Sequence, residues 1–181
     1  SPYAETKQIC EKMLLNNTCN SVALRYFNPI GSHSSSLIGD CSSDKPSNLV
    51  PVITETAIGR RKEITVFGDD YKTPDGTCIR DYIHVVDLAK SHVQAMNFIL
   101  ANIGRYAFNV GTGVGLSVMD IIHAFEKANN INISYSIGPR RKGDIDQIYA
   151  NSNLIKDQLR WEAKESLEAA LKSAWKWEKQ K

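Results

Sequence analysis

No stretch of these 181 residues approaches the roughly 18 consecutive apolar residues of a membrane span. No charged-then-apolar leader opens the chain either. The reading is a protein that stays out of membranes, cytoplasmic in location. Long basic runs are also absent: the formal net charge is +2, and the only tight basic pairs that stand out are Arg60-Arg61 and Arg140-Arg141. That excludes the electrostatic footprint of a nucleic-acid binder and leaves small anionic ligands open. Cysteine is sparse. Cys10, Cys19, Cys41 and Cys78 stand at wide, irregular spacings without a C-x-x-C, which argues against a zinc site and a disulfide framework and fits a reducing compartment. His33, His84, His92 and His123 form no metal-ligand spacing, so they are read as structural and no metal is expected. There is no internal repeat and no low-complexity tract. The two Asn-x-Ser/Thr matches, at Asn16 and Asn132, are too short to carry weight.

One further absence concerns the Gly-rich dinucleotide loop. Asn109-Val110-Gly111-Thr112-Gly113-Val114-Gly115 follows a strand pattern and precedes a helix pattern, but Leu116 stands where G-x-G-x-x-G needs its third glycine, and no ribose-binding acid follows a next strand. The stretch is read as a tight turn into a helix capped by Ser117, with Asp120 completing an approximate capping box.

What is present is a chain with 42% hydrophobic residues, enough for one substantial core. Helical spacing appears at once: Tyr3, Lys7, Cys10 and Leu14 share a face, with Ile9 and Met13 beside them. Further helices are expected at 49–58, 86–100, 118–128 and 167–177, and strands at 21–27, 64–67, 106–110 and 133–137. This alternation predicts an α/β fold. The Gly/Ser-rich stretch from Asn28 to Ser47 is too long for a routine connection, and such loops are commonly functional.

Tyr3 and Lys7 are spaced i, i+4, so both project from one helix face and can share a site. Alone, the pair reads as a snorkelling lysine beside an ordinary tyrosine. Arg80 and Arg141 are candidates for a diphosphate, because guanidinium forks match phosphate oxygens in geometry and charge. Surface ion pairing is the alternative for both, and core packing is the alternative for Phe67 and Tyr82.

Context narrows these alternatives. Arg25-Tyr26-Phe27-Asn28-Pro29, Ser47-Asn48-Leu49-Val50-Pro51, the run from Asp75 to Ala89, Asn109-Val110-Gly111-Thr112-Gly113 and Arg140-Arg141-Lys142-Gly143-Asp144 follow the Tyr/Lys pair in order. In that order and spacing the sequence resembles the UDP-glucose (UDP-galactose) 4-epimerases, of the extended short-chain dehydrogenase/reductase family, from its first residue to its last helix. The resemblance implies the C-terminal part of a Rossmann-type fold plus a smaller mixed α/β substrate-binding domain. Residues 1–30 would be the catalytic helix and one strand of the NAD domain, and 31–181 mainly the substrate domain, with the strand at 106–110 returning to the large sheet. The family's Gly-rich amino-terminal half has no counterpart here, and the chain opens on Ser1 inside a helical pattern, so a preceding segment is expected.

The same resemblance implies roles. Tyr3 would take the proton of the sugar 4-hydroxyl while NAD takes hydride from C4. Holding a phenolate near neutrality demands about 4 kcal/mol, which a fixed ammonium and a nicotinamide cation can supply. Lys7 would hold the nicotinamide ribose and favour the phenolate, and Tyr26 and Phe27 would lie between cofactor and substrate. Asn28, Asn48 and Leu49 would contact the nucleotide sugar, Thr65, Val66 and Phe67 the uracil, and Asp144 its ribose. Ile148, where the family often has Tyr or Cys, would set pocket size. The complete enzyme would be a homodimer, with Ile9 and Met13 as candidate contacts or, equally, intrasubunit packing. Rival readings are a UDP-N-acetylhexosamine or UDP-pentose 4-epimerase and a non-catalytic UDP-sugar-binding fragment. Dehydratases and decarboxylases of the class fit less well, because the stretches around Asn48 and Arg80 read as epimerase.

Overall fold

The computed structural model of the protein describes residues 2–41 and 46–181. Part of the long loop expected at 28–47, residues 42–45, and the opening Ser1 lie outside the described residues. The elements run α1 (Pro2–Asn16), β1 (Ser21–Tyr26), β2 (Asn28–Ile30), α2 (Leu49–Ala57), β3 (Ile64–Phe67), β4 (Ile79–His84), α3 (Val85–Ala101), β5 (Arg105–Val110), β6 (Gly115–Ser117), α4 (Val118–Asn129), β7 (Tyr135–Gly138), β8 (Gln147–Ile148), α5 (Asn153–Leu159) and α6 (Leu167–Glu178). The mixed α/β fold expected from the alternation is the one observed.

Strand pairing is mostly parallel. β1 pairs with β5, Val22 opposite Tyr106, and β3 pairs with β7. β4 is the hub: it runs parallel to β2 and to β8 and antiparallel to β6. Successive strand residues point to opposite faces, and β4 uses this to join two cores. Tyr82 packs with Val50, Ile53, Ile121, Phe125 and Leu171 between α2, α4 and α6. Ile83 packs with Leu88, Phe108, Val110, Ile155 and Trp161, between α3, α5 and the β1–β5 pair. Each fully buried side chain of this size contributes about 1.5–3 kcal/mol.

The local reasons for the helices are legible. α2 carries Pro51 in its first turn, where a missing N–H costs nothing. α4 has the complete capping box, Ser117 Oγ accepting from the Asp120 N–H and Asp120 Oδ2 from the Ser117 N–H, both at 2.9 Å. Its C-cap Asn130 is left-handed. Two expectations need correction. β2, β4, β6, β8 and α5 are elements the periodicity does not single out, and Ile133 is a buried core residue preceding β7 instead of its first strand position. The apolar stripe of α1 also buries no residue. Its Glu11 pairs with Arg25 of β1, which holds the Glu11 carboxyl below the usual carboxylate range. An exposed pair of this kind is worth at most about 1 kcal/mol, so α1 is the most weakly held of the helices here. No helix among the described residues is long and apolar enough to cross a membrane.

α3 begins at an unusual cap. The Nδ1 of His84 accepts from the Val86 N–H at 3.1 Å, and burial holds the His84 pKa below its ordinary value of 6.5, against the opposing pull of Glu165 and Asp87. A base whose folded pKa is depressed binds its proton first in the unfolded chain. Stability contributed by neutral His84 is therefore complete above about pH 6.5 and is lost as pH falls below it. Protonation would also remove the acceptor that caps the helix, a contribution of about 1 kcal/mol. Urea midpoints at pH 7.5 and pH 5.5 should differ in the wild type. They should converge in His84→Asn, which keeps a capping side chain and does not titrate. An equal drop in the variant would assign the loss to another group.

Candidate functional site

A cavity of about 600 Å³ opens where the C-terminal end of β1, the start of α2, β4 and β8 meet the first turn of α1. Its wall includes Tyr3, Tyr26, Phe27, Asn28, Asn48, Leu49, Arg80 and Ile148, all read from the sequence as candidate site residues. Its position, outside the carboxyl end of a parallel strand, is where open α/β sheets place ligands.

Three phenols line it. Tyr82 is 7% exposed, and burial above all pushes its pKa far above the ordinary phenol value, with Arg80 pulling weakly the other way. Tyr82 is thus a neutral wall. Tyr3 is 71% exposed, and the Lys7 Nζ lies 5.3 Å from its ring centroid. The helix therefore does bring the pair together, although Lys7 itself is not part of the cavity wall. Tyr26 is half exposed, and its hydroxyl lies 2.6 Å from His92 Nε2.

Arg80 reaches from this wall toward the second group of candidates. Its Nη1 donates to the carbonyls of Ile79 and Ile145, each at 2.8 Å, and its Nη2 stands 3.7 Å from Asp144 Oδ1. β8 sets Ile148 opposite Arg80 in register. The paired arginines at 140 and 141 separate. Arg140 stacks 4.1 Å over Tyr71 and pairs with Asp70 at 2.6 Å. Arg141 stacks 3.9 Å over Phe67 and makes no ion pair among the described residues. Thr65, Val66, Phe67, Arg141 and Asp144 do not line the main cavity. Val66 is a core side chain at 2% exposure, so only its backbone is available to a ligand, while Thr65 on the opposite face is exposed.

The glycine turn has a different occupant from a cofactor. The carboxylate of Asp81, fully buried on β4, accepts from the N–H groups of Thr112 (2.9 Å), Gly113 (2.9 Å) and Ala150 (3.1 Å) and from the Thr112 hydroxyl (2.6 Å). A Cβ on Gly111 would stand 2.5 Å from Asp81 Oδ2, and Gly113 holds φ +78. The turn is wrapped around an internal anion, the same backbone chemistry that elsewhere holds phosphate.

Sequence reasoning gives Arg25, Asn109 and His92 no role at the site. The first two line the cavity, and their signal was their place inside motifs quoted for other reasons. A neighbouring cavity of about 560 Å³ shares the Pro29, Ile30, Asn48, Val50 and Pro51 wall on its other side. Its buried carboxylate, Glu178, is already matched by Arg60 and Thr54, so the chemistry points to the first cavity.

The family described as GDP-mannose 4,6 dehydratase matches residues 1–174. The UDP-glucose 4-epimerase of Drosophila melanogaster is 43% identical over 99% of this chain and 53% of its own length. That of Haemophilus influenzae is 44% identical over 99% and 54%. Among solved structures, UDP-glucose 4-epimerase from Stenotrophomonas maltophila with bound NAD and formylated UDP-arabinopyranose superposes with a TM-score of 0.96 at 41% identity, covering 99% of this chain and 55% of that one. The enzyme from Bifidobacterium longum in complex with NAD+ and UDP gives 0.89 at 43%, over 96% and 52%. The chain thus spans about half the length of the curated relatives it matches.

Proposed function

Because the chain belongs to the family described as GDP-mannose 4,6 dehydratase, within the extended Rossmann-type fold of its structural neighbours, we propose that it supplies the sugar-nucleotide pocket and Tyr/Lys pair of a cytoplasmic, NAD-dependent UDP-glucose 4-epimerase. The observation that carries this reading is the single cavity holding Tyr3, Asn28, Asn48, Arg80 and Ile148 together. The named relatives, epimerases throughout the most similar set, favour epimerisation over dehydration.

NAD, held by Tyr3, Lys7 and Tyr26, would supply the hydride acceptor and donor at the sugar C4. This chain's residues do the rest. Tyr3 removes the proton of the 4-hydroxyl and gives it back, and Lys7, whose Nζ lies 5.3 Å from the Tyr3 ring centroid, would hold the nicotinamide ribose beside it. Both side chains are exposed, as is that of Tyr26, so the three are free to hold that ribose. Its diphosphate does not belong at Gly111–Gly115, which Asp81 already fills. The UDP diphosphate is held by Arg80 and Arg141, with the positive end of the α2 dipole beside Asn48 and Leu49. Phe67, Thr65 and the Val66 backbone receive the uracil, and Asp144 its ribose. Turnover requires the remaining half that the relatives carry, so residues 1–181 by themselves interconvert no sugar. The exposed Ile9 and Met13, which line an open hollow on α1, join a second copy in the complete homodimer.

The test is interconversion of UDP-galactose and UDP-glucose by the protein extended to the length of its relatives. No turnover with NAD present would overturn the reading. Ile148 refines it. At 43% exposure on the cavity wall, this β-branched side chain cannot swing aside readily, and crowding an acetamido group against it should cost about 1–3 kcal/mol. The expected result is a clear preference for plain hexoses, weak N-acetylhexosamine turnover, and a gain in that turnover for Ile148→Cys. Equal wild-type kcat/KM for both substrate pairs, or a mutant no better with the N-acetyl sugar, would remove Ile148 from the gate.

A further inference from the structure

Tyr26 closes β1 and projects into the cavity wall. A half-exposed tyrosine at a strand end ordinarily samples more than one rotamer, yet this one is held. Its hydroxyl oxygen lies 2.6 Å from His92 Nε2 on α3, and the two rings sit 5.4 Å apart, tilted by 55°. On its other side the His92 ring is fixed too, with Nδ1 at 2.8 Å from the carbonyl oxygen of Leu88 one turn earlier.

This chain of contacts assigns the protons. A carbonyl oxygen only accepts, so His92 Nδ1 carries the hydrogen and donates it to Leu88. In the neutral ring Nε2 is then a lone-pair acceptor, and the hydrogen between the rings belongs to Tyr26. With its one hydrogen committed to His92, the Tyr26 oxygen can only accept from anything else that enters the cavity. The polarity of that part of the wall is therefore decided by a histidine that does not line the cavity at all.

We propose that His92 is a positioning residue for the ligand cavity: it holds Tyr26 in one rotamer and makes the phenolic oxygen an acceptor for an N–H or O–H of the bound sugar nucleotide. The proposal rests on the reading that this cavity takes the sugar nucleotide and its cofactor. His92→Ala loses the acceptor, while His92→Gln keeps one, its amide oxygen, on a side chain long enough to reach. Tyr26→Phe removes the donor.

Two measurements test it, and they fail separately from the enzyme reading. Nitrogen-15 spectra of the histidines should show His92 as the Nδ1–H tautomer, with the Nε2 resonance moving in Tyr26→Phe. The opposite tautomer, or no response to Tyr26→Phe, overturns the proposal whatever the activity. In the protein extended to the length of its relatives, His92→Ala should raise KM for the sugar nucleotide about 10-fold, the size of one lost hydrogen bond, with kcat nearly unchanged, and His92→Gln should recover most of it. His92→Ala added to Tyr26→Phe should cost nothing further, since the hydrogen bond is already gone. A His92→Ala effect that persists undiminished in the Tyr26→Phe background assigns a general structural role and overturns the proposal. So does an unchanged KM. Absence of wild-type turnover overturns the epimerase reading, and the tautomer measurement then decides the hydrogen bond by itself.

Discussion

Under the proposed epimerase function, replacing Tyr3 by phenylalanine in the protein extended to the length of its relatives should remove most of the turnover while leaving UDP-sugar affinity within about twofold, because the lost interaction is proton transfer, worth typically 10²–10⁴-fold. The geometry behind this is selective. Of the cavity's phenols, Tyr82 is buried and held protonated, and Tyr26 has its hydrogen directed at His92. Tyr3 has neither constraint and has an ammonium 5.3 Å from its ring. The measurement is kcat for UDP-galactose beside UDP binding by calorimetry in wild type, Tyr3→Phe and Tyr82→Phe. Tyr82→Phe should keep turnover within a few-fold, since its hydroxyl has no proton-transfer role. A Tyr3→Phe enzyme with nearly full turnover would show that the base has been misassigned, and a collapse of UDP affinity would make Tyr3 a binding group instead.

The largest expected effect on the fold is at Asp81. Asp81→Ala takes the acceptor from the N–H groups of the partly exposed Thr112 and Gly113 and of the buried Ala150, and leaving a donor unsatisfied costs up to about 1–3 kcal/mol where it is shielded from water. Such costs do not add fully, so a loss of about 3–5 kcal/mol is expected. That is a large share of the stability of an ordinary domain, about 5–15 kcal/mol. Thr112→Val removes one hydroxyl donor while keeping the N–H and should cost only about 1 kcal/mol. Urea unfolding of both variants is the check. Comparable small losses in the two would mean that the turn holds its shape without the carboxylate. A loss at Asp81 should also weaken ligand binding, because the same strand presents Arg80 and Tyr82 to the cavity.

The difference between these two residues marks what a sequence can state. Tyr3 is legible because the helix period alone places Lys7 one turn away, whatever the helix packs against. Asp81 is quoted within a motif, but no local pattern says that its carboxylate fills the glycine turn about 30 residues later. The turn is correctly set apart from a dinucleotide loop by its spacing, and only the fold supplies its real occupant. β4 escapes the alternation rule for the same reason. Arg80, Asp81 and His84 look like loop residues until Asp81 finds backbone amides, Arg80 finds carbonyls and His84 caps α3.

Local periodicity and capping chemistry determined five of the six helices and half of the eight strands among the described residues, and the α/β class, by themselves, because these depend on neighbours within a few residues. The Tyr3–Lys7 pair and the Ser117 capping box belong to the same class. Tertiary structure alone decided the rest: that β4 is the seam between two cores, that Tyr82 is a neutral wall and not a base, that Arg140 and Arg141 part company, and that His92 reaches Tyr26 across 66 residues of chain. Each of those outcomes turns on which groups are shielded from water and which distant polar partner meets them there. Burial and pairing of that kind are set by chain topology, which no window of sequence contains.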